Sequence, residues 1–324
     1  MNASASSSDL CLVVDGGGTK TDCQVVRRDD ERFTVVAQGR SSGCNPNAIG
    51  TANATTAIAE AIEAARKAAG LPDETRIARA AIAVAGTVDE TRRKELEHLL
   101  RQQSLAGECR VFPDVLPILS AAATTGTAAG LISGTGATAI ARNAYGKCFL
   151  AGGWGYLLGD EGSGFSVGRE AVRQTLLELE MGAGLSLLGQ CVSEQLEASS
   201  VAAIKKTVYQ PENHRDLLAS LAPAVVQCAK AEDKPAITIL EQTIEHLLIL
   251  LHRAVSRLMP PGDDVPVAVM GGMFRPGSPL RQPLERAILR TPGYASVRFV
   301  DEPLECVHHL LHDEAFSRPI LFAE

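Results

Sequence analysis

The feature that most limits what this 324-residue chain can fold into is a strand, glycine turn, strand unit that occurs twice. Leu10–Val14 is a short apolar run, Asp15-Gly-Gly-Gly-Thr-Lys-Thr-Asp22 follows it, and Cys23–Val26 is a second run. Two apolar runs around a glycine turn predict a β-hairpin. Ala129–Ile132, Ser133-Gly-Thr-Gly136 and Ala137–Ala141 repeat that form about 118 positions later. A single recurrence at that distance predicts two related domains rather than a solenoid, whose period is about 20–50 residues. Glycine turns of this kind expose backbone N–H groups to an anion, because no side chain blocks the approach.

Between the hairpins, strand and helix signals alternate. Phe33–Ala37 and Ala80–Ala85 read as strands, as does Cys109–Phe112, which leads to Asp114; Ala52–Ala69 and Glu90–Gln103 read as helices. After the second hairpin, Gly168–Leu258 is mostly helical, Val265–Met270 is a strand ending in Gly271-Gly272, and Leu284–Leu289 is helical. The Pro-rich stretches Met259–Pro266 and Arg275–Pro283 are expected to be connections. Alternation of this kind predicts α/β domains with a central mixed sheet each.

Composition excludes several classes. The net charge of −7 offers no basic footprint for nucleic acid. The most apolar window, Ile237–Leu258, carries Glu241, Glu245, His246, His252, Arg253 and Arg257, too many charges for a membrane span. The start lacks the basic and apolar regions of a signal peptide and is expected to be a frayed tail. Eight scattered cysteines form no metal-ligand spacing, so reduced thiols in a cytoplasmic protein are expected. His308, His309 and His312 are expected at the surface. No G-x-x-x-x-G-K-[ST] occurs, which excludes a P-loop, and the first glycine loop leads into a strand rather than a helix, which excludes the dinucleotide fingerprint. Two such loops and the Gly271-Gly272 pair predict a nucleotide held between two domains.

Asp15–Asp22, Ile132–Gly136 and Gly152-Gly-Trp-Gly-Tyr-Leu-Leu-Gly-Asp-Glu-Gly-Ser163 together resemble the N-acetylglucosamine kinases. More broadly, they resemble the BadF/BadG/BcrA/BcrD-type ATPases of the actin/hexokinase/Hsp70-like superfamily, in the expected order from about residue 10 to about residue 290. The resemblance implies two actin-like (ribonuclease H-like) domains with a nucleotide cleft. Residues 1–118 with 304–324 would form the first domain, and residues 119–303 the second. It implies ATP and Mg²⁺ as cofactors and a small amino sugar as substrate; a homodimer, and no nucleic-acid or membrane partner, are expected besides.

The resemblance also implies roles. Gly17, Gly18, Thr19 and Lys20 form the first phosphate loop, Thr135 belongs to the second, and Gly271 and Gly272 meet the nucleoside. Asp15 holds Mg²⁺ through water; Asn45, Gly136, Gly153, Trp154, Gly155 and Asp160 surround the sugar. Asp114 is the base that takes the proton of the attacking hydroxyl. Read from the residues alone, Asp114 is also suited to cap a helix beginning near Pro117. The chain departs from the family's pattern at Pro113, and again at Leu304-Glu-Cys-Val-His-His-Leu-Leu311, which lacks a Gly-Ala pair. Residues 186–235 match no motif and are expected to be helical decoration. A kinase acting on a sugar hydroxyl, most simply the 6-OH, is the leading expectation. An ATPase that activates a partner enzyme and a non-catalytic sugar-sensing regulator are the alternatives.

Overall fold

The structure is a computed structural model that describes residues 10–29, 32–182, 184–210, 214–260, 262 and 264–323. The expected frayed segment Met1–Asp9 lies outside them. The described chain forms two compact units, one running up to Thr124 and including Glu302–Pro319, the other comprising Thr125–Asp301 and the residues from Ile320 on.

In the first unit, β1 (Leu10–Gly16), β2 (Lys20–Asp29) and β3 (Arg32–Ser42) form an antiparallel meander. The short α1 (Pro46–Ile49) and α2 (Thr51–Ala68) follow. Then come β4 (Arg79–Val84), α3 (Glu90–Gln102), β5 (Glu108–Pro113) and α4 (Pro117–Ala122). The sheet order is β3-β2-β1-β4-β5, with β4 parallel to both β1 and β5. β1 is buried on both faces, which explains its unbroken Leu-Cys-Leu-Val-Val run. Ala54, Ile58, Ala61, Ile62 and Ala65 of α2, at helical spacing, pack into the core beside Val14, Val25 and Ile82.

The second unit repeats the plan. β6 (Ala128–Ser133), β7 (Ala137–Arg142) and β8 (Lys147–Gly152) form its meander. Six helices follow: α5 (Gly164–Met181), α6 (Leu187–Gln195), α7 (Val201–Val208), α8 (His214–Ser220), α9 (Ala222–Lys230) and α10 (Lys234–Ser256). β9 (Val265–Met270), α11 (Arg281–Arg290) and β10 (Tyr294–Val300) complete it. The strand order β10-β9-β6-β7-β8 mirrors β5-β4-β1-β2-β3, so the repeated hairpin is the local sign of a duplicated sheet. The actin-like fold class expected from the sequence is therefore observed in both units.

Three expectations are corrected. Pro266, which the expected strand Val265–Met270 and the expected connection Met259–Pro266 share, lies inside β9, so the connection stops short of it. Its missing N–H is tolerated because the pairing of β9 with β6 begins one residue later, at Val267, and the pairing with β10 is irregular there, between Tyr294 and Ser296. Pro283 falls in the first turn of α11, where no helical bond needs its N–H. The tail divides after α12 (Pro303–His308) and α13 (Asp313–Ser317). Its end, β11 (Leu321–Phe322), pairs with β8, and the Ala323 amide donates to the Cys148 carbonyl at 2.7 Å, so it joins the second unit.

His308, His309 and His312, expected at the surface, are each half-buried, and His308 is held by a partner. The His308 ring Nε2 lies 2.8 Å from Gln24 Oε1, and burial, then His309, pushes its pKa down to about 4. Among the described residues, no helix is long and apolar enough to cross a membrane.

Candidate active site

The first unit presents its glycine turn between β1 and β2. The Gly17 amide donates to the Lys20 carbonyl and the Cys44 amide to the Gly17 carbonyl, both at 2.9 Å, leaving Gly18 and Thr19 exposed at the tip. Lys20 is engaged: its Nζ meets Asp22 Oδ2 at 2.6 Å, and Arg40 Nε meets the other Asp22 oxygen at 2.5 Å. Burial raises the Asp22 carboxyl, but these two cations outweigh it and hold the pKa below the usual range.

Asp15 is the last residue but one of β1 and Asp114 follows β5, two strands of the same sheet. Asp15 is raised above the ordinary carboxylate value by burial and then by Asp22, with Lys20 opposing. Asp114 is pushed up to about 6 by burial and then by the charge of Asp15, against hydrogen bonds from its own amide and that of Val115. Cys44 lies within the field of both carboxylates, and burial raises its thiol to about 11. The capping alternative for Asp114 fails: α4 has Leu116 at its N-cap and no side chain bonded there. Asn45 does cap a helix, since its Oδ1 accepts from the Asn47 amide at 2.9 Å.

In the second unit the Gly-Asp-Glu-Gly-Ser segment and the second hairpin are bonded into one body. The Gly164 amide donates to the Gly134 carbonyl at 2.7 Å, and Ser133 Oγ donates to the Gly162 carbonyl at 2.7 Å. Ser163 caps α5 by accepting from the Ser166 amide. Asp160 Oδ1 accepts from the Ala137 amide at 3.1 Å, immediately after the turn. Gly136 permits this approach, because a Cβ there would stand 3.0 Å from both Asp160 oxygens. Asp160 is buried at positive φ (66°), a conformation that non-glycine residues adopt at a cost. Its Oδ2 has no hydrogen-bond partner among the described residues.

Thr135 is exposed at the tip of the second turn. Gly271, at φ 119°, packs against the same hairpin, where a Cβ would lie 2.1 Å from the Ser133 carbonyl oxygen. Gly134, Thr135, Gly164, Gly272 and Met273 line a cavity of about 490 Å³. Its far wall is Ala222, Pro223, Val226 and Gln227 of α9, with Lys230 and Arg275 also lining it. No motif marks this wall, which falls within the 186–235 stretch expected to be helical decoration. Trp154 and Asp160 line a second cavity of about 270 Å³ with His246, Ile249 and Arg253 of α10. Trp154 is exposed, and the Arg253 guanidinium stacks 4.7 Å from its ring centre. Gly153 and Gly155 flank it at positive φ.

A duplicated actin-like sheet with a glycine hairpin in each copy defines the class: the profile of the BadF/BadG/BcrA/BcrD ATPase family matches residues 12–298, and the chain belongs to that family. It is 26% identical over 262 residues to the N-acetylmuramic acid/N-acetylglucosamine kinase of Clostridium acetobutylicum, covering 81% of this chain and 84% of that one. It is 25% identical to the N-acetyl-D-glucosamine kinase of Dictyostelium discoideum over 90% of this chain and 93% of that protein. Among solved structures, a putative N-acetylglucosamine kinase from Chromobacterium violaceum superposes with a TM-score of 0.72 at 25% identity, over 95% of this chain and 100% of that one.

Proposed function

We propose that this chain is an ATP-dependent kinase that transfers a phosphoryl group to a hydroxyl of an amino sugar of the N-acetylglucosamine class. The observation that carries the reading is Asp160: a buried carboxylate with one oxygen fixed to the residue after a glycine turn and the other without a hydrogen-bond partner among the described residues. Such an oxygen suits a sugar hydroxyl, and its neighbour loop suits a phosphate.

In this reading Gly17, Gly18, Thr19, Lys20 and Thr135 bind the phosphates of ATP. The cavity beside Gly271 and Gly272 takes its base and ribose. Asn45, Gly136, Gly153, Trp154, Gly155 and Asp160 hold the sugar. Asp114 accepts the proton of the attacking hydroxyl, a role suited to a carboxyl raised to about 6. Asp15 fits Mg²⁺: it is a hard oxygen donor whose burial and carboxylate neighbour favour a cation nearby, and Mg²⁺ uses one or two carboxylates and keeps several waters. When bound, the ion neutralises charge on the transferred phosphate. The 6-hydroxyl as acceptor, a homodimeric assembly and a cytoplasmic location belong to the same proposal.

The test is ATP consumption by the purified chain with glucosamine, N-acetylglucosamine, N-acetylmannosamine, N-acetylmuramic acid or glucose. Turnover that depends on an amino sugar is expected. ATP hydrolysis that none of these sugars stimulates would reject the kinase reading in favour of an ATPase acting on a partner.

A further inference from the structure

The buried Asp160 carboxylate needs a counter-charge, and the cation that meets it comes from a helix that no motif marks. Arg215, in the first turn of α8, places Nη2 3.6 Å from Asp160 Oδ2. The Asp160 side chain is 3% exposed and that of Arg215 is 43% exposed. The distance decides what this contact does. At 3.6 Å it balances charge without being a hydrogen bond, so the lone pairs of Oδ2 stay open.

Arg215 is itself held in place. Its guanidinium sits 5.6 Å from the ring centre of Tyr156, in the same loop as Asp160. The Tyr156 hydroxyl is 3.1 Å from His214 Nε2, and its ring meets Phe165 edge-on. Arg215 Nε is buried without a partner among the described residues. We infer that Arg215 is the positioning residue of the sugar site: it holds the Asp160 side chain in its aim while leaving Oδ2 free to accept a hydrogen bond from a substrate hydroxyl. The inference rests on the kinase reading above.

The experiment measures KM for N-acetylglucosamine, KM for ATP and kcat for the wild type, Arg215→Ala, Arg215→Lys, Asp160→Asn and the Asp160→Asn/Arg215→Ala pair. Sugar binding is followed in parallel by calorimetry. Losing a partly exposed ion pair that is not a hydrogen bond is expected to weaken binding by about two- to fivefold. Arg215→Ala is therefore expected to raise the sugar KM and Kd by that factor, with the loss falling on KM rather than kcat and with KM for ATP unmoved. Arg215→Lys should recover most of it. In the Asp160→Asn background, where no charge needs balancing, Arg215→Ala should leave the sugar KM essentially where Asp160→Asn put it. An equal loss in both backgrounds, or an unchanged sugar KM in Arg215→Ala, would overturn the assignment and leave the kinase reading standing. A wild type that no amino sugar stimulates would overturn both.

Discussion

Asp114→Asn separates the chemistry of this carboxyl from its burial. Its pKa is raised from 3.8 to about 6, chiefly by burial and next by Asp15. A raised carboxyl contributes stability that is present below about pH 4 and lost as pH rises through about 6, because the folded state holds the proton more tightly. A shift of that size amounts to about 3 kcal/mol in full, of which about 2 kcal/mol falls between about pH 4.5 and pH 8. Asparagine carries no charge at any of these pH values, although its N–H₂ group enters a pocket built for a carboxylate. That offset is the same at every pH, so the change in ΔΔG with pH is the clean quantity. Relative to the wild type, Asp114→Asn should gain about 2 kcal/mol between about pH 4.5 and pH 8 in urea unfolding followed by far-ultraviolet circular dichroism. Loss of a general base costs about 10²–10⁴ in kcat, and ATP binding should survive the change. In the wild type, kcat/KM should fall with acid along a limb near pH 6, since only the ionised carboxylate accepts a proton. A near-normal kcat in the variant would move the base elsewhere, with Asp160 next to be tested. A limb near pH 4 with a pH-independent ΔΔG would refute the account of burial itself.

Asp15→Asn weakens the proposed cation site, so the Mg²⁺ concentration for half-maximal rate should rise at least about tenfold while sugar affinity measured without nucleotide stays put; unchanged Mg²⁺ dependence would exclude Asp15. Gly271→Ala forces a Cβ to within 2.1 Å of the Ser133 carbonyl at φ 119°, and should cost about 2–4 kcal/mol and raise KM for ATP; a wild-type unfolding midpoint would show that this contact relaxes freely. Asp233 caps α10 by accepting from the Ala236 amide at 3.0 Å and reaches the Leu188 amide of α6 at 3.4 Å. Asp233→Ala should lower stability by about 1–2 kcal/mol with kcat unchanged, checked by urea unfolding and steady-state rates.

What the sequence alone determines is what short stretches of chain encode. Turn chemistry and strand patterning operate within a dozen residues, so both glycine hairpins, the duplicated α/β plan and the strand leading to Asp114 are legible in the order of residues itself. Those same local rules leave Pro266 in both a strand and a connection and put His308 at the surface. Whether a strand tolerates proline depends on which neighbour pairs at that residue, and whether a histidine is exposed depends on Gln24, 284 positions away. The site divides in the same way. Its carboxylates and glycines stand in motifs, but their electrostatics do not. Asp114 is raised because the fold buries it and a separate strand then adds the charge of Asp15, and Asp160 is fixed by an amide 23 positions earlier. Arg215 and the α9 wall have no local signature at all, because a helix is written by its own spacing whereas the partner it meets is chosen by packing. Only tertiary structure, which brings distant charges together in a medium that screens them poorly, decides which of these groups act on one another.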